Sequence, residues 1–428
     1  MNKKLKVAFL DIVGTQYTGD TLKSKGIGGS EAAVISMASE LSDLGVDVSV
    51  FNDCGEEGNY GGVNYYTRDN KKAQNQKFDV LVCSRTFIPF YPMQYKNAIY
   101  EQTKINIETY ATIVSNSKYK IVWCHDMGAS GEESMEFLLN QGLIDEVFVM
   151  SDFQYNLYLN KKDMNFEVLK HKFFQTRNGI RSFDNNVDIT KKDKNLFVFN
   201  AAYLKGMEPL LSTVWPLLKK ELPDAKLIVM GGYYATGAEK TQLQKQYELK
   251  RKAFEGILDI HFTGIIPQRE VADILTKASY FIYPNTYQEI FGISVTEAIN
   301  YNVPLIGHRF GALEEIAAEP TSYLINYSYD KFIEQPYRLV EAAVFAYKND
   351  KIREDKMLAC NLFKPYLGWD MVALQWKRHF YKKFEMEFPE DEEITFRDFI
   401  IHIITLYNKK IINAEELDFL VNLNLSNK

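Results

Sequence analysis

The stretch Tyr280–Ile316, YFIYPNTYQEIFGISVTEAINYNVPLIGHRFGALEEI, decides the fold. Its first apolar run, Tyr280–Tyr283, ends at Pro284 and predicts a buried parallel strand. The run VPLIG, which ends at Gly307, predicts a second strand of the same kind. Between them lie a loop and a helix, so the order is strand, loop, helix, strand. In a parallel α/β sheet, ligands bind in the crevice at the carboxyl ends of the strands, and the loop is expected there.

The loop and the start of the helix carry two carboxylates and a glycine. Ser294 lies three residues before Glu297, a capping-box spacing that predicts the helix start at Ser294. Free amides at Gly292 and Ile293 favour an anionic group such as a diphosphate. Glu289 and Glu297 would accept hydrogen bonds from nearby hydroxyls, a combination that suits a nucleotide sugar. The competing interpretation is a solvated loop residue at Glu289 and a simple cap partner at Glu297.

The segment YPNTYQEIFGISVTEAINYNVPLI resembles the E-x7-E segment of retaining GT-B glycosyltransferases, the large family 4 group, in its proline, its FG pair, its EA pair and its second proline. The resemblance implies an α/β fold with two Rossmann-like, doubly wound domains that face each other across a cleft. It also implies that Glu289 binds hydroxyls of the donor sugar and Glu297 those of the ribose. The amides of Phe291, Gly292 and Ile293 would then contact the diphosphate.

Length and composition are those of an ordinary globular protein. The 428 residues predict two or three domains, with 46% hydrophobic and 25% charged residues. A net charge of −6 gives no electrostatic argument for wrapping nucleic acid. The four cysteines are scattered, which favours buried thiols in a reducing compartment. With no signal peptide and no apolar run of membrane-spanning length, we expect a cytoplasmic protein, and a peripheral membrane contact stays open.

The N-terminal region begins as the first unit of a doubly wound sheet. A strand over Lys6–Val13 is followed by a loop that holds Gly28 and Gly29, and then by a helix from Ser30 to Leu44. Glycines let a backbone approach a phosphate closely, although such turns after strands are common. The GGSE sequence resembles the family's glycine loop, which implies that Gly28 and Gly29 face the donor phosphates.

Two further strands of this region end in candidate site residues. The strand Lys120–Cys124 leads directly into His125, which resembles the family's histidine beside the donor sugar and the acceptor. Its competing interpretation is a hydrogen-bonded structural histidine. Arg85 follows the strand Asp79–Cys83, and the sequence leaves open whether it faces the cleft or the surface. Other predicted strands are Val46–Asn52 and Glu146–Ser151.

The second half of the chain supplies a lysine after its first strand, LFVFN. Lys205 is well placed as a point charge for a diphosphate, or it is an exposed turn lysine. The family carries a lysine or arginine here and, in many members, a second basic residue at the position of Asn200. Losing that charge puts donor identity and rate in question. The resemblance also implies that the backbone of Gly264 and Ile266 contacts the nucleobase.

These signals divide the chain into an N-terminal acceptor-side domain (1–185), a C-terminal nucleotide-sugar domain (190–367) and a helical tail (386–428). A helix over 368–385 is expected to cross back to the first domain. The segment GEEGNYGGVNYY reads as a turn-rich connection, and the chain after Ile316 reads as helical to Leu367. The tail would contact the body, a partner or a second copy of the chain.

The predicted function is transfer of a hexosyl or pentosyl group from a UDP- or GDP-linked sugar to an acceptor hydroxyl, with retention. No Asp-x-Asp motif occurs, so no metal clamp is expected, and no cofactor is predicted beyond the donor substrate. Glycans, lipids, proteins and modified nucleobases all stay open as acceptors. The alternatives are an epimerase or phosphorylase of the same fold, or a non-catalytic scaffold that binds nucleotides or glycans.

Overall fold

A computed structural model gives the structure of the chain. It describes residues 4–129, 131–160, 169–183, 187–232, 237–317, 319–328 and 334–389, with the backbone alone at 237–241 and 366. The predicted tail 386–428 therefore lies largely outside the described residues.

The N-terminal region forms an eight-stranded sheet with the order β3-β4-β2-β1-β5-β6-β7-β8. Its strands are β1 Lys6–Leu10, β2 Asp47–Asn52, β3 Gly58–Tyr60, β4 Val63–Thr67, β5 Phe78–Ser84, β6 Ser117–Trp123, β7 Glu146–Val149 and β8 Phe173–Gln175. All neighbouring strands run parallel except β3 and β4, which form an antiparallel hairpin. Alpha-helices on its two faces span Thr21–Ser24, Gly29–Asp43, Lys71–Gln74, Lys96–Thr103, Ala111–Ser115, Met135–Asn140 and Asp152–Leu159.

The C-terminal region forms a six-stranded, fully parallel sheet with the order β11-β10-β9-β12-β13-β14. Its strands are β9 Asp193–Asn200, β10 Lys226–Met230, β11 Ile260–Gly264, β12 Ala278–Tyr283, β13 Leu305–Arg309 and β14 Ser322–Asn326. Its helices span Met207–Pro209, a π-helical Leu210–Val214, Trp215–Glu221, Gly237–Phe254, Gln268–Leu275, Ile293–Asn300, Leu313–Ile316, Gln335–Lys348 and Asp350–Leu367. Short 3-10 turns within the described residues of both regions are Ile88–Phe90, Met93–Tyr95, Ile107–Thr109, Glu132–Ser134, Lys170–Lys172, Ile189–Lys191, Tyr203–Lys205, Ile257–Asp259 and Glu319–Thr321.

Each sheet has one point at which the strand order reverses. In the first sheet β1 lies between β2 and β5, and in the second β9 lies between β10 and β12. Loops that leave two such neighbouring strands diverge to opposite faces and leave a crevice between them. The crevice of the second sheet is bordered by the segments after β9 and β12, which carry Lys205 and Glu289. The α/β fold of two doubly wound sheets agrees with the sequence prediction.

The chain crosses between the two regions twice, and the two crossings lie side by side. Ile180 donates its amide to the carbonyl of Leu367 at 2.6 Å. A Cβ at Gly179 would lie 2.5 Å from the Cα of Trp369, so only glycine permits this approach. The helix Trp369–Lys383 then packs on the first sheet, where Trp376 is fully buried and donates its indole N–H to Thr176 at 2.7 Å. The C-terminal part of the described chain thus completes the core of the N-terminal region.

Three local predictions were wrong. The GEEGNYGGVNYY segment contains the hairpin β3–β4, because Gly61 and Gly62 both take positive φ and close a tight turn. The segment after Ile316 is interrupted by β14, which pairs with β13. The helix expected to begin at Ser294 begins at Ile293 instead, after Gly292 in the left-handed conformation, and no side chain caps it. Glu297 is therefore not a capping-box partner.

None of the helices in the described ranges combines the length and the hydrophobicity that a bilayer crossing requires. Within the same ranges, no three or more His, Cys, Asp and Glu side chains cluster in a way that would hold a metal ion. The four cysteines are buried free thiols.

Candidate active site

Close backbone approaches place Lys205 and Glu289 at the crevice of the second sheet. Gly206 has a φ of 108°, and a Cβ there would lie 2.4 Å from the carbonyl oxygen of Pro284. Gly311, with a φ of 68°, packs equally closely on the backbone of Glu289, whose carbonyl accepts from the amide of Ala312 at 2.7 Å. Two glycines with positive φ thus bring the segments after three neighbouring strands into contact.

Lys205 and Glu289 form an ion pair inside this crevice. The Nζ atom of Lys205 lies 2.8 Å from Oε1 and 2.9 Å from Oε2 of Glu289. The carboxylate side chain is 6% exposed, whereas the lysine is 34% exposed and reaches the open side of the crevice. Tyr283 donates its hydroxyl to Oε1 at 2.5 Å, and Nζ lies 5.1 Å from the ring centroid of Tyr287. No sequence pattern predicts either tyrosine contact.

Glu297 lies in the helix that borders the same crevice and has two weak partners. The amide nitrogen of Asn200 is 3.5 Å from Oε2, and that of Gln268 is 3.4 Å from Oε1. Burial raises the pKa of Glu297 to about 7. Both contacts are at the long limit of hydrogen bonding, so the carboxyl group keeps acceptor capacity for a ligand. Asn200, the position at which the family often has a basic residue, faces this carboxyl group.

The glycine loop of the first region packs against the second region. A Cβ at Gly26 would lie 2.5 Å from the side chain of Ile265 and 2.7 Å from the carbonyl of Ile266. A Cβ at Gly29 would lie 3.0 Å from the side chain of Ile293. Gly28 directly precedes the helix Gly29–Asp43 and would clash with Glu31 if it carried a side chain. The structure thus brings the predicted residues Gly29, Ile266 and Ile293 together where the two regions meet.

The remaining predicted donor-side residues occupy distinct places. Gly264, at the end of β11 with a φ of 70°, accepts at its carbonyl from the amide of Gly231 at 2.9 Å. Gly292 supplies the left-handed residue before the helix Ile293–Asn300, whose first amides have no partner inside the helix. The ring of Phe291 is 6% exposed and packs with the core of the first region, not toward the crevice.

His125 is half-buried and lies two residues after the carboxyl end of β6. Its ring centroid lies 4.0 Å from that of Trp123, and Nε2 has no hydrogen-bond partner among the described residues. Burial, and then the Arg85 guanidinium, hold the pKa of His125 well below its ordinary value, so the imidazole is neutral. A neutral imidazole with a free nitrogen can bind one hydroxyl group.

Arg85, which the sequence left undecided, belongs to a buried charge cluster after β1 and β5. It has a φ of 66°, and its guanidinium lies 3.5 Å from Asp11 and 3.4 Å from Glu31. Burial raises the pKa of Asp126, and the Arg85 and Lys205 charges oppose this rise. Asp126 therefore lies within electrostatic range of cations from both regions. The one early sign of this cluster is Asp11, a charge at the end of an apolar strand.

A second contact joins the regions at Glu315. Its carboxyl oxygens accept from the backbone amides of Asp152 at 2.8 Å and Phe153 at 2.6 Å, the first residues of the helix Asp152–Leu159. Burial, and next the Asp152 carboxylate, raise the pKa of Glu315 to about 8. Ser151 caps the same helix locally, because its hydroxyl accepts from the amide of Gln154 at 3.1 Å. The additional cap from the other region had no local signal.

Comparisons with known proteins support the fold. Residues 181–343 match the family model of glycosyl transferases group 1. This matched segment contains strands β9 to β14 and the loops that border the crevice of the second sheet. No curated protein matches the chain in sequence.

Solved structures share the fold at low sequence identity. Anabaena HepE in complex with UDP and glucose is 12% identical with a TM-score of 0.58, over 88% of this chain and 99% of that one. Sucrose-phosphate synthase from Thermosynechococcus elongatus is 15% identical with a TM-score of 0.56, over 89% of this chain and 100% of that one. The pneumococcal O-GlcNAc transferase GtfA, with UDP and GlcNAc, is 16% identical with a TM-score of 0.52. The chain spans 61% of the length of GtfA, and the alignment covers 74% of this chain. These likenesses confirm the GT-B fold, and with the family match they confirm the resemblance to GT-B glycosyltransferases.

Proposed function

We propose that the chain transfers a hexosyl or pentosyl group from a nucleoside diphosphate sugar to an acceptor hydroxyl, with retention and without a metal ion. The observation that carries this proposal is the Lys205–Glu289 pair, which lies at the strand-order reversal of the sheet that matches the glycosyl transferase family. A cation and a carboxylate in one crevice suit the two ends of the scissile bond. The UDP in the HepE and GtfA structures favours a uridine nucleotide for this chain.

Bond cleavage would be assisted mainly at the leaving group. As the anomeric C–O bond breaks, its electron pair moves to the diphosphate, and negative charge grows there. Lys205, with the first-turn amides of the helix Ile293–Asn300, would stabilise that charge. The ammonium is the more exposed member of the pair, so a phosphate can reach it from the open side of the crevice.

The carboxyl groups would hold the two sugars of the donor. Glu289 would accept a hydrogen bond from a hydroxyl of the transferred sugar. This bond would orient the anomeric carbon of that sugar toward the cleft. Glu297 makes only two long hydrogen bonds. Its carboxyl group would therefore accept hydrogen bonds from the ribose hydroxyls. The backbone at Gly264 and Ile266 would present its polar groups to the base, beside the glycine loop of the first region.

The acceptor would enter from the first region. His125, neutral and with one unpartnered nitrogen, would bind a hydroxyl of the sugar or of the acceptor. The acceptor proton would move to an oxygen of the departing diphosphate on the same face of the sugar as the new C–O bond forms. This route gives retention without a separate protein base. The contacts at Gly26 and Glu315 would exclude water from the cleft during transfer.

Ligand binding and turnover test the proposal. We expect UDP or GDP, or a sugar linked to one of them, to raise the melting temperature, because a ligand at 100 times its Kd stabilises by about 2.7 kcal/mol. We expect slow hydrolysis of the cognate donor that falls at least about 100-fold in Lys205→Ala and in Glu289→Ala, on the scale of a removed transition-state donor.

The matched control is Lys226→Ala, which removes the lysine of an exposed ion pair with Asp193, 3.2 Å apart in the same region. It should hydrolyse donor at the wild-type rate. Equal hydrolysis by all four proteins would refute the assignment of the pair.

A non-catalytic scaffold is the second candidate, and Asn200 is the observation that favours it. Where many relatives place a second cation, an uncharged amide lies 3.5 Å from Glu297. A scaffold would bind the nucleotide and raise the melting temperature but release no nucleotide from any donor.

A further inference from the structure

We propose that Tyr283 and Tyr287 are positioning residues that hold the Lys205–Glu289 pair in its reactive geometry. This inference rests on the proposed function, because it assigns these two side chains a part in the same reaction. One tyrosine acts on the carboxylate through its hydroxyl, and the other acts on the ammonium through its ring.

Tyr283 fixes the orientation of Glu289. It is the last residue of the buried strand β12, and its hydroxyl donates to Oε1 at 2.5 Å. Burial, and then the Glu289 carboxylate, hold the pKa of Tyr283 well above its ordinary value, so the phenol stays a neutral donor. With the bonds from Lys205 to both oxygens, the carboxylate is held in one plane. Hydrogen bonds to an ionised carboxylate are among the stronger ones in proteins, so this contact restrains the group firmly.

Tyr287 acts on Lys205 from the other side. The ammonium lies 5.1 Å from the ring centroid, within the range of a cation–π contact. A ring face is no conventional hydrogen-bond acceptor, so it attracts the ammonium while leaving its N–H groups to Glu289 and to a phosphate oxygen. Tyr287 thus lets Lys205 remain in place when the diphosphate arrives.

The loop that carries Tyr287 is itself held by buried polar groups. Asn285 donates its side-chain amide to the carbonyl of Tyr287 at 3.2 Å. His308 lies with Nδ1 3.0 Å from the carbonyl of Asn285, and burial lowers its pKa to about 4. A neutral imidazole beside a carbonyl must donate, so the proton is on Nδ1. The ring is therefore presented from a fixed backbone.

The chain offers a matched control on the same strand. Tyr280 is also fully buried in β12, but it stacks on Phe197 with centroids 4.4 Å apart, and its hydroxyl pairs with Arg353 at 3.3 Å. Tyr280→Phe removes a buried hydroxyl from the same strand without touching Glu289.

The test compares donor hydrolysis in Tyr283→Phe, Tyr287→Leu and Tyr280→Phe. We expect kcat to fall about 10- to 100-fold in Tyr283→Phe, the equivalent of the charged hydrogen bond that is lost, with KM within about threefold of wild type. Tyr287→Leu should lose about 3- to 30-fold, on the scale of a partly desolvated cation–π contact, and Tyr287→Phe should recover most of that loss because it restores the ring. Tyr280→Phe should match wild type. Equal kcat in Tyr283→Phe and Tyr280→Phe would overturn the proposal.

A second measurement decides the contact independently of turnover. In a double-mutant cycle of Tyr283→Phe and Glu289→Gln, the two losses of melting temperature should fail to add by about 2–4 °C, the scale expected for two side chains in direct contact. Additive losses would overturn the inference even in an active enzyme. If no nucleotide stabilises the wild type and no donor is hydrolysed, the proposed function fails, and non-additive losses would still support the Tyr283–Glu289 contact.

Discussion

Replacing Glu297 by glutamine should make the free energy of unfolding of the protein less dependent on pH. Burial raises the pKa of Glu297 to about 7, from an ordinary value of 4.5. In the unfolded chain the group ionises at about 4.5, whereas in the folded protein it keeps its proton until about pH 7. Folding is therefore unaffected by this group below pH 4.5 and loses stability as the pH rises from 4.5 to 7, after which the loss levels off.

The magnitude follows from the two values. Each pH unit between them costs about 1.4 kcal/mol, so the full loss is about 3 kcal/mol. Between pH 5 and pH 8 the folded protein should lose about 2–3 kcal/mol through this one group. Glutamine has nearly the same shape and does not titrate, so Glu297→Gln should remove this loss.

The assay is the free energy of unfolding from urea titrations at pH 5, 6, 7 and 8. The difference between Glu297→Gln and wild type should grow in favour of the variant by about 2–3 kcal/mol over this range. The control is Glu341→Gln, at an exposed position on the helix Gln335–Lys348, where the difference should stay constant. A constant difference for Glu297→Gln as well would refute a carboxyl group that remains protonated in the fold.

Two further predictions concern the diphosphate and the contact between the regions. Asn200→Arg should lower the KM for the donor about tenfold, because the arginine adds a charge-assisted hydrogen bond to the diphosphate. Asn200→Gln adds no charge and should leave this KM unchanged. Equal KM values in the two variants would contradict the idea that a basic side chain is missing at position 200. Glu315→Ala should open the cleft and increase the radius of gyration of the free protein in solution scattering, because two amides at the start of the helix Asp152–Leu159 lose their acceptor at about 1–3 kcal/mol each. Glu314→Ala, which removes an exposed partner of Arg309, should leave the radius unchanged, and an equal effect of both variants would contradict this role of Glu315.

Local pattern was enough to predict the elements that carry the crevice. The runs at Tyr280–Tyr283 and Leu196–Asn200 are apolar and bounded by turn residues, and both are strands in the structure. Because parallel strands end at one edge, the residues that follow them, Lys205 and Glu289, could be expected to converge. The structure places them in one ion pair.

The misses have identifiable physical causes. The capping-box spacing of Ser294 and Glu297 competes with a left-handed Gly292, which starts the helix one residue earlier and turns Glu297 inward. The Gly-Gly pair of the first hairpin was a usable signal for a tight turn between β-prone runs. The residues of strand β14 are compatible with a helix or a strand, and pairing with β13 selects the strand. Tertiary pairing thus decided these elements where local spacing was ambiguous.

Contacts between distant segments could not be found from spacing. Glu315 lies more than 160 positions from the helix that it caps, and its neighbours read as an ordinary surface helix. The hydroxyl of Tyr283 is hidden in a run that is otherwise purely apolar. Such contacts depend on how loops fold over the two sheets, and no periodicity reports that.

The paired crossings at Ile180 and Leu367 make the C-terminal region an insertion whose two ends meet. A segment whose ends adjoin can be exchanged as a unit between proteins, because only two neighbouring junctions must be preserved. The core of the N-terminal region is completed after the second junction by the helix that carries Trp376. Under the proposed division of donor and acceptor sites, recombination at these junctions would change which activated sugar is used while leaving the surface that meets the acceptor intact. Chimeras joined at this seam offer a direct way to separate the two choices.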